Sequence, residues 1–236
     1  MYNPSKQVWI NPNIQYLFDN EIIEYDMQDA GFSLIKQFKL LPDEKINELT
    51  KMGKGKERHI KIGKIQGEDK VFSKALSDKF ADLRKIFISV NNLTDNEILS
   101  VKKDAIFTIG KCSKTKFGSI QFIPKNIYSS YIRFPNINDL EIYYSKDQID
   151  IKGISDTIIN RHRLYMLDFI RNIISMIESK DIRVRRYLIK FIMDYKQHNL
   201  DDGYYLEFNS KSKDINILFN YREVIIKFLQ IVIKEI

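Results

Sequence analysis

The 236-residue, 28.0 kDa chain is 44% hydrophobic and 29% charged, with only 9 glycines and 5 prolines, which excludes a disordered, collagen-like or linker-dominated polymer. A single cysteine, Cys112, excludes an intramolecular disulfide framework and a cysteine-rich zinc site, and three scattered histidines (His59, His162, His198) argue against a histidine metal centre, so metal chemistry would have to rest on carboxylates. Thirty-eight basic against 31 acidic side chains give a net charge of +7 and a pI near 9.2, which favours an anionic partner without naming one.

From the N-terminus, Met1 to Trp9 lacks the basic-then-apolar pattern of a signal peptide, and no apolar run approaches the roughly 18 residues of a membrane span, so the chain reads as cytoplasmic. Residues 1–20 read as an irregular arm punctuated by Asn11-Pro12-Asn13, with Trp9 positioned to pin it to the rest of the fold. Glu21 to Asp26 is β-prone and ends in an acid; Ala30, Leu34, Ile35 and Phe38 then recur at helical spacing. A short helix begins after Pro42, and the Gly-punctuated basic segment Lys51 to Lys64 reads as a loop or hairpin. Leu76, Phe80, Leu83, Phe87 and Val90 predict an amphipathic helix over 73–91 whose other face carries Lys74, Lys79, Arg84 and Lys85.

After Asn91-Asn92 the pattern changes to strands. Glu97–Val101 and Ala105–Ile109 flank Lys102-Lys103-Asp104 as a β-hairpin, with Asp104 at its turn. Further strands are expected at 119–123, 128–134, 141–144 and 148–151. Beyond Gly153 the periodicity turns helical over 165–177, 184–195 and 224–236, so the reading is an α+β domain over 21–154, with a basic insertion at 51–91, and then a helical region over 155–236.

Asp26 and Asp104 thus stand at comparable ends of strands that can pair. Two carboxylates there suit magnesium or manganese, which prefer oxygen ligands, keep several waters and share them with substrate phosphates. The cationic segments between the acids, including Arg58, Lys74 and Lys79, have the charge needed to hold a triphosphate or a nucleic-acid backbone. Tyr128, Tyr131 and Phe134 interleave with Lys125 and Arg133 in a pattern suited to base stacking or to a strand core.

The order of these pieces resembles the palm of template-directed polymerases, family B DNA polymerases above all. Glu24-Tyr25-Asp26-Met27-Gln28-Asp29-Ala30-Gly31-Phe32-Ser33 resembles the motif that delivers their first metal-binding aspartate into a helix, and Val101-Lys102-Lys103-Asp104-Ala105 resembles the hairpin that supplies the second. The helix over 70–91 lies where those enzymes place a Lys-bearing fingers helix. Pro124-Lys125-Asn126-Ile127-Tyr128 is similar to their Lys-x-Tyr primer grip, and Lys152-Gly153, with Arg161 and Arg163 beyond it, is similar to their palm-to-thumb junction. Reverse transcriptases, whose palm has a comparable first motif and hairpin acid, are a more distant resemblance.

The resemblance implies a palm with an antiparallel sheet, a thumb-like C-terminal region, Asp26 and Asp104 as catalytic metal ligands, Arg58, Lys74 and Lys79 on the nucleotide, and Lys125, Tyr128, Lys152, Gly153, Arg161 and Arg163 on DNA or RNA. The implied reaction is transfer of a nucleotide from a nucleoside triphosphate to a primer 3′-hydroxyl, with a protein partner supplying missing parts. Lys102 stands where the second motif has its first acid, which supports an alternative: a palm-derived protein without catalysis that binds nucleic acid or a replication or transcription partner. The richness in Ile, Lys and Asn points to an AT-rich genome, and with the small size to a phage or mobile element.

Overall fold

The computed structural model describes residues 2–3, 6–135, 139–153, 168–201, 206–208 and 215–217. The protein is α+β. Its strands are β1 (Val8–Ile10), β2 (Tyr16–Leu17), β3 (Ile22–Met27), β4 (Ile98–Lys102), β5 (Ala105–Ile109), β6 (Lys116–Phe117), β7 (Ile120–Tyr128), β8 (Ser130–Phe134), β9 (Leu140–Tyr144), β10 (Ile149–Lys152), β11 (Leu206–Phe208) and β12 (Ile215–Ile217). Its described helices are α1 (Ala30–Phe38), α2 (Asp43–Lys51), α3 (Lys56–Glu68), α4 (Lys70–Val90), α5 (Asp168–Glu178) and α6 (Val184–Lys196). None of them is long and apolar enough to cross a membrane.

Contacts divide the chain into two compact units, residues 1–13 with 22–127 and residues 14–21 with 128–236. This differs from a division near residue 154: β8, β9 and β10 pair with one another and with β2, in a sheet separate from that of the first unit. The arm is likewise not irregular throughout. Val8–Ile10 pairs with β4 and Tyr16–Leu17 with β8, while the buried Asn11 side chain donates to the Asp95 and Ile98 carbonyls at 2.6 and 2.9 Å. Strands of three and two residues are too short to show a period, so the sequence displays only the Asn-Pro-Asn break between them. Trp9 does pack on the first core, edge-on to Tyr2 with ring centroids 5.2 Å apart.

In the first unit the six strands run in the order β1-β4-β5-β3-β7-β6. Strand alternation sends Ile23, Tyr25 and Met27 of β3 into one core with Phe32, Leu34 and Ile35 of α1 and Phe72, Leu76, Leu83 and Phe87 of α4. Glu24 and Asp26 consequently belong to the opposite face. Helix α4 begins where the Asp69 carboxylate accepts from the Phe72 N–H at 2.9 Å, satisfying one of the free donors of its first turn.

The segment expected as a basic loop or hairpin over 51–64 is instead the end of α2, a short loop at 52–55 and most of α3. Its composition argues against a helix, since Gly63 and Gly67 cost helical stability. Tertiary contacts override that: Ile62 and Ile65 enter the core, and the glycines fall on the exposed side.

The second unit carries the sheet β10-β9-β8-β2, and the pair β11 and β12 also lies in this part of the chain. Ile132, Leu140, Ile142 and Tyr144 form a core with Ile170, Ile173 and Ile174 of α5 and Val184, Leu188, Phe191 and Tyr195 of α6. The helical run expected at 224–236 lies outside the described residues, as does the start of the run expected at 165.

Candidate functional site

The two acids singled out in the sequence meet in the first unit. Asp26 is the fifth residue of β3, directly opposite Ala105 of β5, and the Met27 N–H donates to the Asp104 carbonyl at 3.0 Å. Both acids are half-buried. Burial pushes the Asp26 carboxyl above the usual range; Lys125 pulls it down, Asp104 and Glu24 push it up, and Lys54 pulls it down again. Asp26 thus feels negative charge from Asp104 and Glu24 and positive charge from Lys125 and Lys54.

Glu24, two residues before Asp26, shares its face of β3. It is buried, accepts a hydrogen bond from the Asn126 side chain at 2.6 Å and lies 3.9 Å from the Lys125 ammonium. The same ammonium is 3.8 Å from Asp26. Lys54 comes from the loop between α2 and α3, where Gly53 turns the chain at φ 69°. Sequence reasoning did not select Glu24, Lys54 or Asn126. The period-2 placement of Glu24 beside Asp26 is a signal that was available; the approach of Lys54 is not, because it depends on how α3 folds back.

The turn bearing Asp104 is fastened from two sides. Lys103 takes a left-handed conformation (φ 52°), and its N–H donates to the Gln7 carbonyl at 2.6 Å. Arg84 of α4, fully buried, donates to the Lys103 carbonyl at 2.6 Å, to the Lys6 carbonyl at 3.2 Å and to the Tyr2 hydroxyl at 3.2 Å. Next to this turn is a cavity of about 320 Å³, lined among others by Gly31, His59, Gln66, Phe80, Lys103 and Asp104. Its size is at the lower end for small-molecule sites, and it combines an apolar wall with a few polar groups.

Other residues expected at a site have different placements. Arg58 is buried, paired with Asp29 at 2.5 Å and stacked over Phe32 at 4.1 Å, so it clasps α3 to the start of α1 and is not free to hold a phosphate. Lys79 pairs with Asp82 at 3.1 Å, while Lys74 is exposed on α4. Tyr128 is 1% exposed, packs on Tyr143 with centroids 5.3 Å apart and donates to Asp150; the expected stacking surface is core at this position. Tyr131 is equally buried, and Arg133 pairs with Asp139 at 2.6 Å. Lys152 ends β10 in the second unit and Gly153 follows it at φ 98°, and Arg161 and Arg163 lie outside the described residues.

Fold and site together define an α+β protein whose first sheet carries an acid pair in a cationic setting, beside a ligand-sized cavity. More particularly, residues 1–230 match the model of the family described as the Bacteriophage PBS1 gene 130 protein, and the chain belongs to that family. The assignment points to a phage origin. A comparison with curated proteins finds no match.

Proposed function

We propose that the protein is a phage nucleic-acid-handling factor with a polymerase-like palm, in which Asp26 and Asp104 serve a divalent-cation-dependent nucleotidyl transfer to a primer 3′-hydroxyl. The observation that carries this reading is the juxtaposition of Asp26, near the end of β3, and Asp104, in the β4–β5 turn, 78 positions apart in sequence but joined through the 3.0 Å bond from the Met27 N–H to the Asp104 carbonyl.

The donor set fits a hard cation. Two half-buried carboxylates are the protein contribution expected for magnesium or manganese, which complete their shell with water and substrate phosphate. Among the described residues no group of three or more His, Cys, Asp or Glu side chains is placed to hold a metal ion by itself, so this reading requires water and substrate oxygens to complete the shell. The bound cation would neutralise charge on the transferring phosphate. In this reading Asp26 and Asp104 would hold the cation, Lys54 and Lys103 would attract the triphosphate, and the cavity that Asp104 lines with Phe80 and Gly31 would receive the base and sugar.

A second reading is favoured by one observation, the Lys125 ammonium 3.8 Å from Asp26. A cation tethered there takes over part of a metal's role in balancing charge, as expected of a palm descendant that binds DNA or RNA without catalysis. Primer extension with magnesium and with manganese, on DNA and RNA templates, compares wild type with Asp26→Ala and Asp104→Ala. Extension lost in both variants supports the enzyme. Salt-sensitive binding without extension, indifferent to magnesium and to Asp26→Ala, supports the binding protein instead.

A further inference from the structure

Lys125 sits 3.8 Å from Asp26 and 3.9 Å from Glu24, yet its side chain is 53% exposed. It emerges from the Pro124-Lys125-Asn126 stretch of β7, whose next residue, Asn126, holds the other oxygen of Glu24 at 2.6 Å. The ammonium therefore has the acids on one side and solvent on the other, on a flexible four-carbon stem. At these separations it is an ion pair without a short hydrogen bond, and although Glu24 is buried and Asp26 half-buried, the ammonium end is exposed, so the lysine can turn to another anion by rotating its own stem.

We infer that Lys125 is a partner-switching counter-ion, which neutralises Glu24 and Asp26 in the free protein and transfers to a backbone phosphate when nucleic acid binds, so that nucleic acid and divalent cation bind cooperatively at the acid pair. This rests on the proposed function, and it concerns regulation of the same site. While the ammonium lies beside Asp26, a divalent cation must overcome its repulsion as well as shed water. Once a phosphate draws the ammonium away, Asp26 regains its full negative field toward the cation. Linkage makes the effect reciprocal: the cation must tighten nucleic-acid binding by the same factor. Lys54, also exposed and also cationic toward Asp26, adds to the positive charge around the acid.

The test is Mn²⁺ binding to the full chain, read from the electron paramagnetic resonance signal of free Mn²⁺, with and without a DNA hairpin bearing a 5′ overhang. Lys125→Gln and Lys125→Arg are compared with wild type; both changes are at an exposed position and leave the core intact. In wild type the hairpin tightens Mn²⁺ binding about five-fold or more, the lower range of coupling between sites. Lys125→Gln binds Mn²⁺ more tightly than wild type without DNA and gains nothing from the hairpin, whereas Lys125→Arg keeps the coupling. Equal Mn²⁺ affinity and an equal hairpin effect in wild type and Lys125→Gln overturn the inference while leaving the metal reading standing. Absence of Mn²⁺ binding in all three proteins, with or without the hairpin, removes the metal reading and this inference with it.

Discussion

Arg84 reaches from the middle of α4 to donate to the Lys103 carbonyl at 2.6 Å, so the turn that presents Asp104 is held by a fully buried guanidinium. A left-handed lysine is a costly turn residue, and it persists where the surroundings over-determine it. Here they do so with Arg84 on the carbonyl and Gln7 on the N–H of the same residue.

Arg84→Met fills similar volume and leaves the Lys103 and Lys6 carbonyls and the Tyr2 hydroxyl without their charged donor. Hydrogen bonds from charged groups contribute about 1.5–3 kcal/mol each, so the expected loss is about 3 kcal/mol or more in urea unfolding. Arg84→Lys keeps the charge but not the fork and recovers only part of it. A methionine variant within about 0.5 kcal/mol of wild type would show that the guanidinium does not hold the turn.

Asp26 makes stability depend on pH in a specific direction. Burial raises its folded-state pKa, so between the ordinary carboxylate value and the raised one the folded chain keeps a proton that the unfolded chain has released. The group's favourable contribution is complete below the ordinary value and is lost as pH rises through the raised one. Asp26→Asn, which cannot ionise, escapes the loss. Its melting temperature should rise relative to wild type as pH goes from about 4 to about 8, and a difference that is flat over that range would contradict the assignment.

Two glycines should respond to alanine with opposite signs. Gly63 lies inside α3, and a Cβ added there would meet nothing within 4 Å, so Gly63→Ala gains helical propensity of about 0.5–1 kcal/mol. Gly118 sits at φ 64°, and a Cβ there would meet the Gln37 side-chain oxygen at 2.9 Å, the atom that accepts from the Ser119 N–H and hydroxyl. Gly118→Ala combines left-handed strain with that displacement and should lose about 1–2 kcal/mol. Thermal unfolding of the two variants side by side reads both signs.

The parts legible in the sequence are those with a clean period or a clean break. The strand 21–26, helix 30–38, the amphipathic helix around Leu76 and Phe87 and the hairpin around Asp104 all derive from alternation or from three-and-four spacing, and the approach of Asp26 to Asp104 comes from pairing those strands. Helix α3 is hidden because its apolar residues are few and its glycines read as a loop, while what stabilises it, the Arg58–Asp29 pair and the burial of Ile62 and Ile65, is tertiary. Tyr128 misleads for the converse reason: an aromatic on a strand next to lysine has the same local pattern whether it faces a base or, as here, Tyr143 and Asp150. Lys125 is legible as a cation beside a strand but not as the neighbour of Glu24 and Asp26, since strand order does not follow chain order.

Phe87 and Val71 lie on the same helix and should behave oppositely to truncation. Phe87 is fully buried, with Tyr25, Phe122 and Phe117 rings 5.4, 4.6 and 6.3 Å away, whereas Val71 is 81% exposed. Phe87→Ala should cost about 3–5 kcal/mol through lost burial and the cavity left behind, and Val71→Ala should stay within about 0.5 kcal/mol of wild type. The ring of Tyr25 points into the helical core, and Glu24 and Asp26 flank it from the other face of β3, so Phe87 supports the strand without touching the acids. A milder Phe87→Leu variant, assayed below its melting temperature, should therefore keep wild-type Mn²⁺ and DNA binding while losing stability. Loss of binding in a variant that is still folded would mean that the acid pair depends on the exact pitch of β3, and the tolerance of the site to core changes would have to be read as small.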